Sequence, residues 1–269
     1  MGPHARSLGE VLERKDPLVE EVQRFYEEHH DGIERARRAR RYFYSYLTRV
    51  LQTRVSPGQA VLDIGCGSGR LTRNLAVSAP EALVVGGDRS AAARVAHERC
   101  RHLPNALVAQ FDLHSPPFPV ACFDFIYADG VVPAVPDAGA ALRSLDRLLR
   151  PGGKLFVWTY PRSFSPYRLL RDVLVRPYRL PHPVQQSLCW GLGAPLYAAF
   201  KLWEPFHGPR RRALREVVFM LHDNLVPEFQ HRRTPAELAR DFENLGFVDV
   251  HPVGPPVGVT GTKPRSASN

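Results

Sequence analysis

The chain has 269 residues, 44% of them hydrophobic, which is enough for a sizeable core and argues against global disorder. Its 36 Lys and Arg outnumber 27 Asp and Glu, for a net charge of +9. The four cysteines, Cys66, Cys100, Cys122 and Cys189, are scattered singly, a pattern that speaks against a disulfide framework or a zinc site and fits a reducing compartment.

The segment from Met1 to Asp16 is charged and does not read as a signal peptide. The longest apolar run, Cys189 to Phe200, is too short for a bilayer span and contains two Gly and a Pro. A cytoplasmic protein is expected. Residues 161–215 carry ten basic and two acidic residues, so nearly all the excess charge lies in one segment. Such a field attracts an acidic substrate, a lipid surface or nucleic acid.

Residues 8–53 read as helical, with aromatic anchors such as Phe25 and Tyr42 and an Arg-rich run from Arg35 to Arg41 that reads as a solvated face. Residues 1–56 are therefore expected to form an N-terminal helical cap. Val55-Ser56-Pro57-Gly58 is a turn signal. Beyond it, short apolar runs alternate with helical patterns. Strands are expected at Gln59–Ile64, Ala82–Gly87, Ala106–Phe111, Phe123–Ala128 and Lys154–Tyr160. Helices are expected at about 70–77, 91–101 and 137–149. This alternation predicts a doubly wound, mainly parallel α/β sheet over 57–160.

Residues 161–215 break the rhythm. Eight prolines fall there, so short or kinked helices are expected in an insertion after the fifth strand. The pattern resumes in 216–263. Thr234-Pro235-Ala236-Glu237 is a capping box with Pro at the first helical position, and 247–250 and 257–262 suit a closing hairpin. Residues 264–269 read as a polar tail.

The chemistry-bearing motif is Asp63-Ile64-Gly65-Cys66-Gly67-Ser68-Gly69, a strand turning into a helix. Glycines at alternate positions permit the sharp turn and close approach of a ligand to the backbone. Asp88, 19 residues beyond Gly69 at the end of the next strand, is placed to accept hydrogen bonds from ribose hydroxyls. The spacing is G-x-G-x-G, not the G-x-G-x-x-G of a pyrophosphate site, and Asp63 would repel a phosphate while orienting a cationic amino group. An adenosine with an amino-acid tail fits this arrangement better than a dinucleotide does.

On these motifs the chain resembles the class I S-adenosylmethionine-dependent methyltransferases, in particular the methyltransferase type-11-like group. Further matches in order are Asp112-Leu113 after the third strand, Pro117-Phe118 and Phe123-Asp124 leading into the fourth, Asp129-Gly130-Val131 after it, and Leu149-Arg150-Pro151-Gly152-Gly153. The resemblance implies a Rossmann-like, seven-stranded sheet that binds S-adenosyl-L-methionine. It assigns Asp63, Gly65, Cys66, Gly67 and Gly69 to the methionine end, Asp88 to the ribose, and Arg89, Asp112 and Leu113 to the adenine. Asp129 falls among cofactor and acceptor contacts. Many relatives carry a His or Asn-rich stretch after strand four, where this chain has apolar Val131 to Val135.

Candidates for a general base are therefore sought in residues 221–231. His222, Asp223 and His231 form the expected catalytic group, with a loop-pinning role as the alternative. No metal is expected, because no third ligand stands at standard spacing. Residues 161–215 contain eight aromatics interleaved with basic residues, and they read as an acceptor lid. The expected acceptor is small and lipophilic or anionic, such as a quinone, natural-product or glycolipid-like intermediate. Peripheral contact with an anionic membrane surface is also expected of this segment. The rival functions are an RNA methyltransferase, against which stands the lack of an RNA-binding module, and a non-catalytic cofactor-binding scaffold.

Overall fold

The computed structural model describes residues 55–162, 169–174, 176–207, 214–253 and 258–265. The expected N-terminal cap lies outside them. The chain divides into two units, one built from residues up to Pro161 and from His231 onward, the other spanning Arg162–Gln230.

The first unit is a sheet sandwiched between helices. In chain order it contains β1 (Ala60–Ile64), α1 (Arg70–Ser78), β2 (Leu83–Asp88), α2 (Ala92–Cys100), β3 (Ala106–Gln110), β4 (Phe123–Asp129), α3 (Ala138–Leu148) and β5 (Leu149–Trp158). The short strands β6 (Tyr160–Pro161) and β7 (Arg232–Arg233) flank the second unit, followed by α6 (Pro235–Asn244), β8 (Val248–Val253) and β9 (Gly258–Thr262). The sheet order is β3-β2-β1-β4-β5-β9-β8, with β9 antiparallel to both neighbours and the first five strands parallel. This is the seven-stranded, mainly parallel Rossmann-like sheet expected from the strand pattern. The order reverses between β1 and β4, which opens a crevice at their carboxyl ends.

Alternation along the strands sends side chains to two faces. Val61, Phe125, Tyr127 and Phe156 meet Leu75 and Ala76 of α1 on one face. Leu62, Ile126, Leu155 and Val157 meet Leu142, Leu145, Leu238 and Phe242 of α3 and α6 on the other. Burial on both sides explains why these strands read as continuous apolar runs.

Two motif residues turn out to be structural. The Asp124 carboxylate accepts from the Ala60 backbone N–H at 2.7 Å and from Arg150 at 2.6 Å, so it ties the start of β1 to the Arg150–Gly153 turn. That turn lies within β5, where pairing with β4 shifts register between Phe123 and Phe125. The sheet strand therefore begins at Leu149, ahead of the expected Lys154, and ends at Trp158.

The second unit contains a π-helical turn (Leu169–Leu174), a 3-10 turn (Pro177–Arg179) and two helices, α4 (His182–His207) and α5 (Leu214–Leu225). Helix α4 runs 26 residues, longer than its proline content suggests. Pro183 sits in its first turn, where a missing N–H costs nothing, and the helix continues through Pro195. The buried core of this unit joins Cys189 to Val218, Leu221 and Leu225. A Cβ at Gly193 would come within 2.6 Å of Val218 Cγ2, so only glycine permits this close approach of α4 to α5. Buried Arg171 donates to the carbonyls of Pro227 and Glu228 at 2.7 and 2.8 Å and stacks over Tyr178.

The capping box of α6 forms as expected. Thr234 Oγ1 accepts from the Glu237 N–H, and Glu237 accepts from the Thr234 N–H. Thr234→Ala is expected to cost about 1 kcal/mol, seen as a lower urea midpoint at unchanged slope.

Candidate cofactor site

The crevice between β1 and β4 is lined by the residues that the glycine motif brings together. Gly65, Gly67 and Gly69 adopt φ of 74°, 52° and 72°, a left-handed region that other residues avoid. Gly69 caps α1, and a Cβ there would lie 2.7 Å from Ala96, so α2 could not pack against the turn. The loop's amides are already engaged. Those of Gly65 and Cys66 donate to the Gly87 carbonyl at 2.7 and 3.0 Å, that of Gly67 to Asp88 Oδ2 at 2.8 Å, and that of Gly69 to the Cys66 carbonyl at 2.9 Å. A loop with its amides so occupied, and edged by carboxylates, is poorly suited to a pyrophosphate.

Asp63 lies at the centre, 3% exposed in the middle of the sheet. Its Oδ2 accepts from Thr72 Oγ1 at 2.6 Å. Thr72 reaches it only because residue 86 is glycine; a Cβ there would meet Thr72 Oγ1 at 2.8 Å. Burial pushes the Asp63 carboxyl up to about 7; the Thr72 hydrogen bond opposes this rise, and the charges of Asp129 and Asp88 add to it. An isolated buried acid beside two further carboxylates is electrostatically suited to a cation.

Asp88 ends β2. Beyond its bond from Gly67, its Oδ1 accepts from the backbone N–H and hydroxyl of Ser90 at 2.8 and 2.7 Å, which fixes the carboxylate plane at the crevice rim. Asp112 Oδ1 accepts from the His114 N–H at 2.8 Å and lies 3.0 Å from His114 Nδ1, and Arg89 stands 3.9 Å from Oδ2. Burial pushes the Asp112 carboxyl up, but the His114 contacts outweigh it and hold the group below the usual carboxylate range. At the end of β4, Asp129 Oδ2 lies 3.3 Å from the Tyr127 hydroxyl and pairs across the sheet with Trp158 of β5.

Not every residue of the expected set faces the crevice. Leu113 is 4% exposed and belongs to the core. Cys66 is buried among Ala93, Ala96 and Cys100, and burial pushes its thiol far up, so it is an inert packing group. The expected catalytic residues are divided between the two units. His222 and Asp223 lie on α5 in the second unit, with His222 half-buried. His231 belongs to the first unit. Its Nε2 stands 2.8 Å from the Val135 carbonyl, its backbone N–H donates to Pro133, and its carbonyl accepts from Thr159 Oγ1. These contacts pin the loop after β4.

Two contributors escape sequence reading. One is Thr72, an ordinary helix residue until its hydroxyl is seen beneath Asp63. The other is Trp158, whose buried indole N–H has no hydrogen-bond partner and which packs edge-on against Tyr160 next to Asp129. An orphaned donor at the carboxyl edge of the sheet is the kind of group a bound ligand satisfies.

Residues 62–157 match the family described as a methyltransferase domain. A 2-phytyl-1,4-naphtoquinone methyltransferase from Synechococcus elongatus is 40% identical over 121 residues, covering 43% of this chain and 51% of that protein. A malonyl-[acyl-carrier protein] O-methyltransferase from Legionella pneumophila is 29% identical over 150 residues, covering 54% and 52%. A trans-aconitate 2-methyltransferase from Azoarcus is 38% identical over 114 residues, covering 42% and 44%. The chain thus spans about half the length of the curated relatives it matches. Among solved structures, PigF with SAH superposes with a TM-score of 0.51 at 15% identity, covering 96% of this chain and 62% of that one. The CurJ carbon methyltransferase superposes with a TM-score of 0.51 at 15% identity, covering 78% and 49%. At these identities the structures speak for the fold alone. Over residues 62–157 the chain is thus similar to the S-adenosylmethionine-dependent methyltransferases.

The residues at the crevice fit that family's cofactor. Asp63, Asp88 and Asp129 are carboxyl groups of a chemistry suited to a cationic amino-acid end and to ribose hydroxyls. The raised Asp63 carboxyl has a thermodynamic consequence. Its folded pKa lies above its unfolded one, so the unfolded chain releases its proton first. Between about pH 4 and 7 the folded state loses up to about 1.4 kcal/mol of stability per pH unit from this group, and nothing further above 7. Asp63→Asn is expected to flatten this slope and raise the melting temperature of the ligand-free protein at pH 8 relative to the parent. Thermal melts from pH 4 to 8 test this; parallel curves for the two proteins would refute it.

Proposed function

We propose that the protein transfers a methyl group from S-adenosyl-L-methionine to a small acceptor of lipophilic or anionic character. The observation that carries the reading is the buried Asp63 carboxyl, held by Thr72 and facing Asp129 and Asp88 at the sheet's switch point. A buried carboxyl with no cationic partner among the described residues is costly to keep. A ligand bringing positive charge next to it recovers that cost.

Held by Asp63, Asp88 and Asp129, S-adenosyl-L-methionine would supply an activated methyl group. The chain's own task is to align the reactants and to exclude water, and alignment can lower the barrier by about 7–11 kcal/mol. Asp63 and Asp129 orient the amino-acid end, Asp88 fixes the ribose, and Asp112 with Arg89 borders the adenine. Trp158 and Tyr160, at the carboxyl end of β5, are suited to border the acceptor, with the indole N–H free to donate to an acceptor oxygen. Where the acceptor is an oxygen or nitrogen acid, a base is needed, for which His222 and Asp223 are the sequence's candidates, and His231 supports the loop after β4.

The acceptor class draws on two lines of support. The relatives are named for a phytyl naphthoquinone, a malonyl carrier protein and trans-aconitate, which are lipophilic or carboxylate-bearing compounds. The segment 161–215 adds a concentration of basic and aromatic residues in keeping with such acceptors and with an anionic lipid surface.

Asp88→Ala is expected to weaken S-adenosylmethionine binding on the order of a hundredfold, from the loss of charged hydrogen bonds to the ribose. Titration calorimetry checks it, with circular dichroism to establish that the variant is folded. Unaltered affinity would remove Asp88 from the site. His222→Ala is expected to slow label transfer from labelled S-adenosylmethionine into the lipid or small-molecule fraction of a cell extract while leaving cofactor affinity unchanged. Label appearing only in RNA would overturn the acceptor class.

A further inference from the structure

Helix α4 has one side occupied and one side bare. Gln185, Cys189 and Gly193 are buried, and Cys189 joins the core shared with α5. The opposite side displays Val184, Trp190, Gly191, Ala194, Ala198 and Leu202 at helical spacing. Its large members are exposed far beyond what a core position would be: Val184 by 47%, Trp190 by 46% and Leu202 by 77%. From Leu180 to Phe200 the sequence contains no Lys, Arg, Asp or Glu. A soluble helix normally turns its charged side to water, so this arrangement inverts the usual amphipathic pattern.

Charge is not missing from the neighbourhood; it is displaced to the ends. Exposed Arg176 and Arg179 precede the helix, Lys201 lies on its last turns, and Arg210, Arg211, Arg212 and Arg215 follow in the sequence. Glu204 and Asp172 are the sole acids in this stretch. No helix among the described residues is long and apolar enough to cross a membrane. An apolar side bracketed by cations, with a Trp at its flank, has the chemistry of a helix lying in the plane of an anionic bilayer interface. There the apolar side chains enter the acyl boundary, the indole sits at headgroup depth, and the guanidinium groups meet lipid phosphates.

We propose that the exposed side of α4 is a membrane-interface surface whose partner is an anionic phospholipid bilayer. This deepens the lipophilic-acceptor reading, and it rests on that reading for its purpose: a protein that collects its acceptor from a bilayer gains from a surface that rests on one. A second copy of the chain is the rival occupant. It is less favoured because the cations at both ends of the helix would face like charges in a symmetric pair.

The test is co-flotation of the full chain with vesicles of phosphatidylcholine alone and of phosphatidylcholine mixed with phosphatidylglycerol. The parent is expected to float with the mixed vesicles and poorly with the neutral ones, and added salt should weaken the association. Trp190→Glu and Leu202→Glu, both at exposed positions, should each reduce partitioning about tenfold. Arg176→Glu with Arg179→Glu should remove the preference for phosphatidylglycerol. Leu107→Glu, at an exposed position on β3 in the other unit, is the control and should float like the parent. Absence of flotation with mixed vesicles would overturn the proposal, as would equal loss in the Leu107→Glu control. It would also fall if sedimentation velocity showed a dimer that Leu202→Glu dissociates. Calorimetry with S-adenosylmethionine on the same preparations separates the two readings. Lost flotation with intact cofactor binding counts against the membrane surface alone, whereas intact flotation without cofactor binding counts against the methyl-transfer reading alone.

Discussion

The rest of the first unit depends on a single buried carboxyl. Asp63 occupies the central strand at the one point where the sheet's winding reverses, and its hydrogen bond from Thr72 fixes the first turn of α1 against β1. For that bond to form, α1 must begin within a few residues of the strand, which requires the left-handed turn of Gly65 to Gly69. It also requires a bare backbone at Gly86 and a short approach of α2 to Gly69. Strand, loop and two helices are thus positioned around one acid that is uncomfortable without a cation. Most of the glycines here are explained by the packing of protein on protein, and the ligand inherits a cradle whose shape the fold already demands.

The motif residues separate into two groups on this view. Asp63, Asp88 and Asp129 stand at the carboxyl ends of β1, β2 and β4. Asp124, Arg150 and the Gly152–Gly153 turn lie at the amino ends of the strands, where Asp124 ties β1 to β5. Their ties secure the end of the sheet away from the crevice. Keeping ties at one end and function at the other follows from parallel strands, whose carboxyl ends all emerge on the same edge.

Much of this was legible in the sequence, for identifiable reasons. Strands buried on both faces leave uninterrupted apolar runs, and the glycine loop and the capping box of α6 are local patterns whose partners lie a few residues away. What was not legible depends on distance in the chain. The Thr72–Asp63 bond needs the helix to be built before the hydroxyl can be seen to point at the acid. The orphaned Trp158 indole is a property of the surrounding packing and leaves no mark in the sequence. The length of α4 ran against its proline content, because proline penalises a helix by position and not by count. His231 carried two readings in the sequence, a catalytic one and a loop-pinning one, and its ring is engaged with the carbonyl of Val135, across 96 residues of chain.

The short pairing of β6 with β7 sets Tyr160 beside Arg232 and Pro161 beside Arg233. The two points at which the chain leaves and re-enters the sheet unit are therefore held together by that unit itself. Everything between them is a loop whose ends are already closed, and the entropy of closing such a loop grows only slowly with its length. The intervening segment is in effect a cassette. Its length can change at little entropic expense to the closure that β6 and β7 already make.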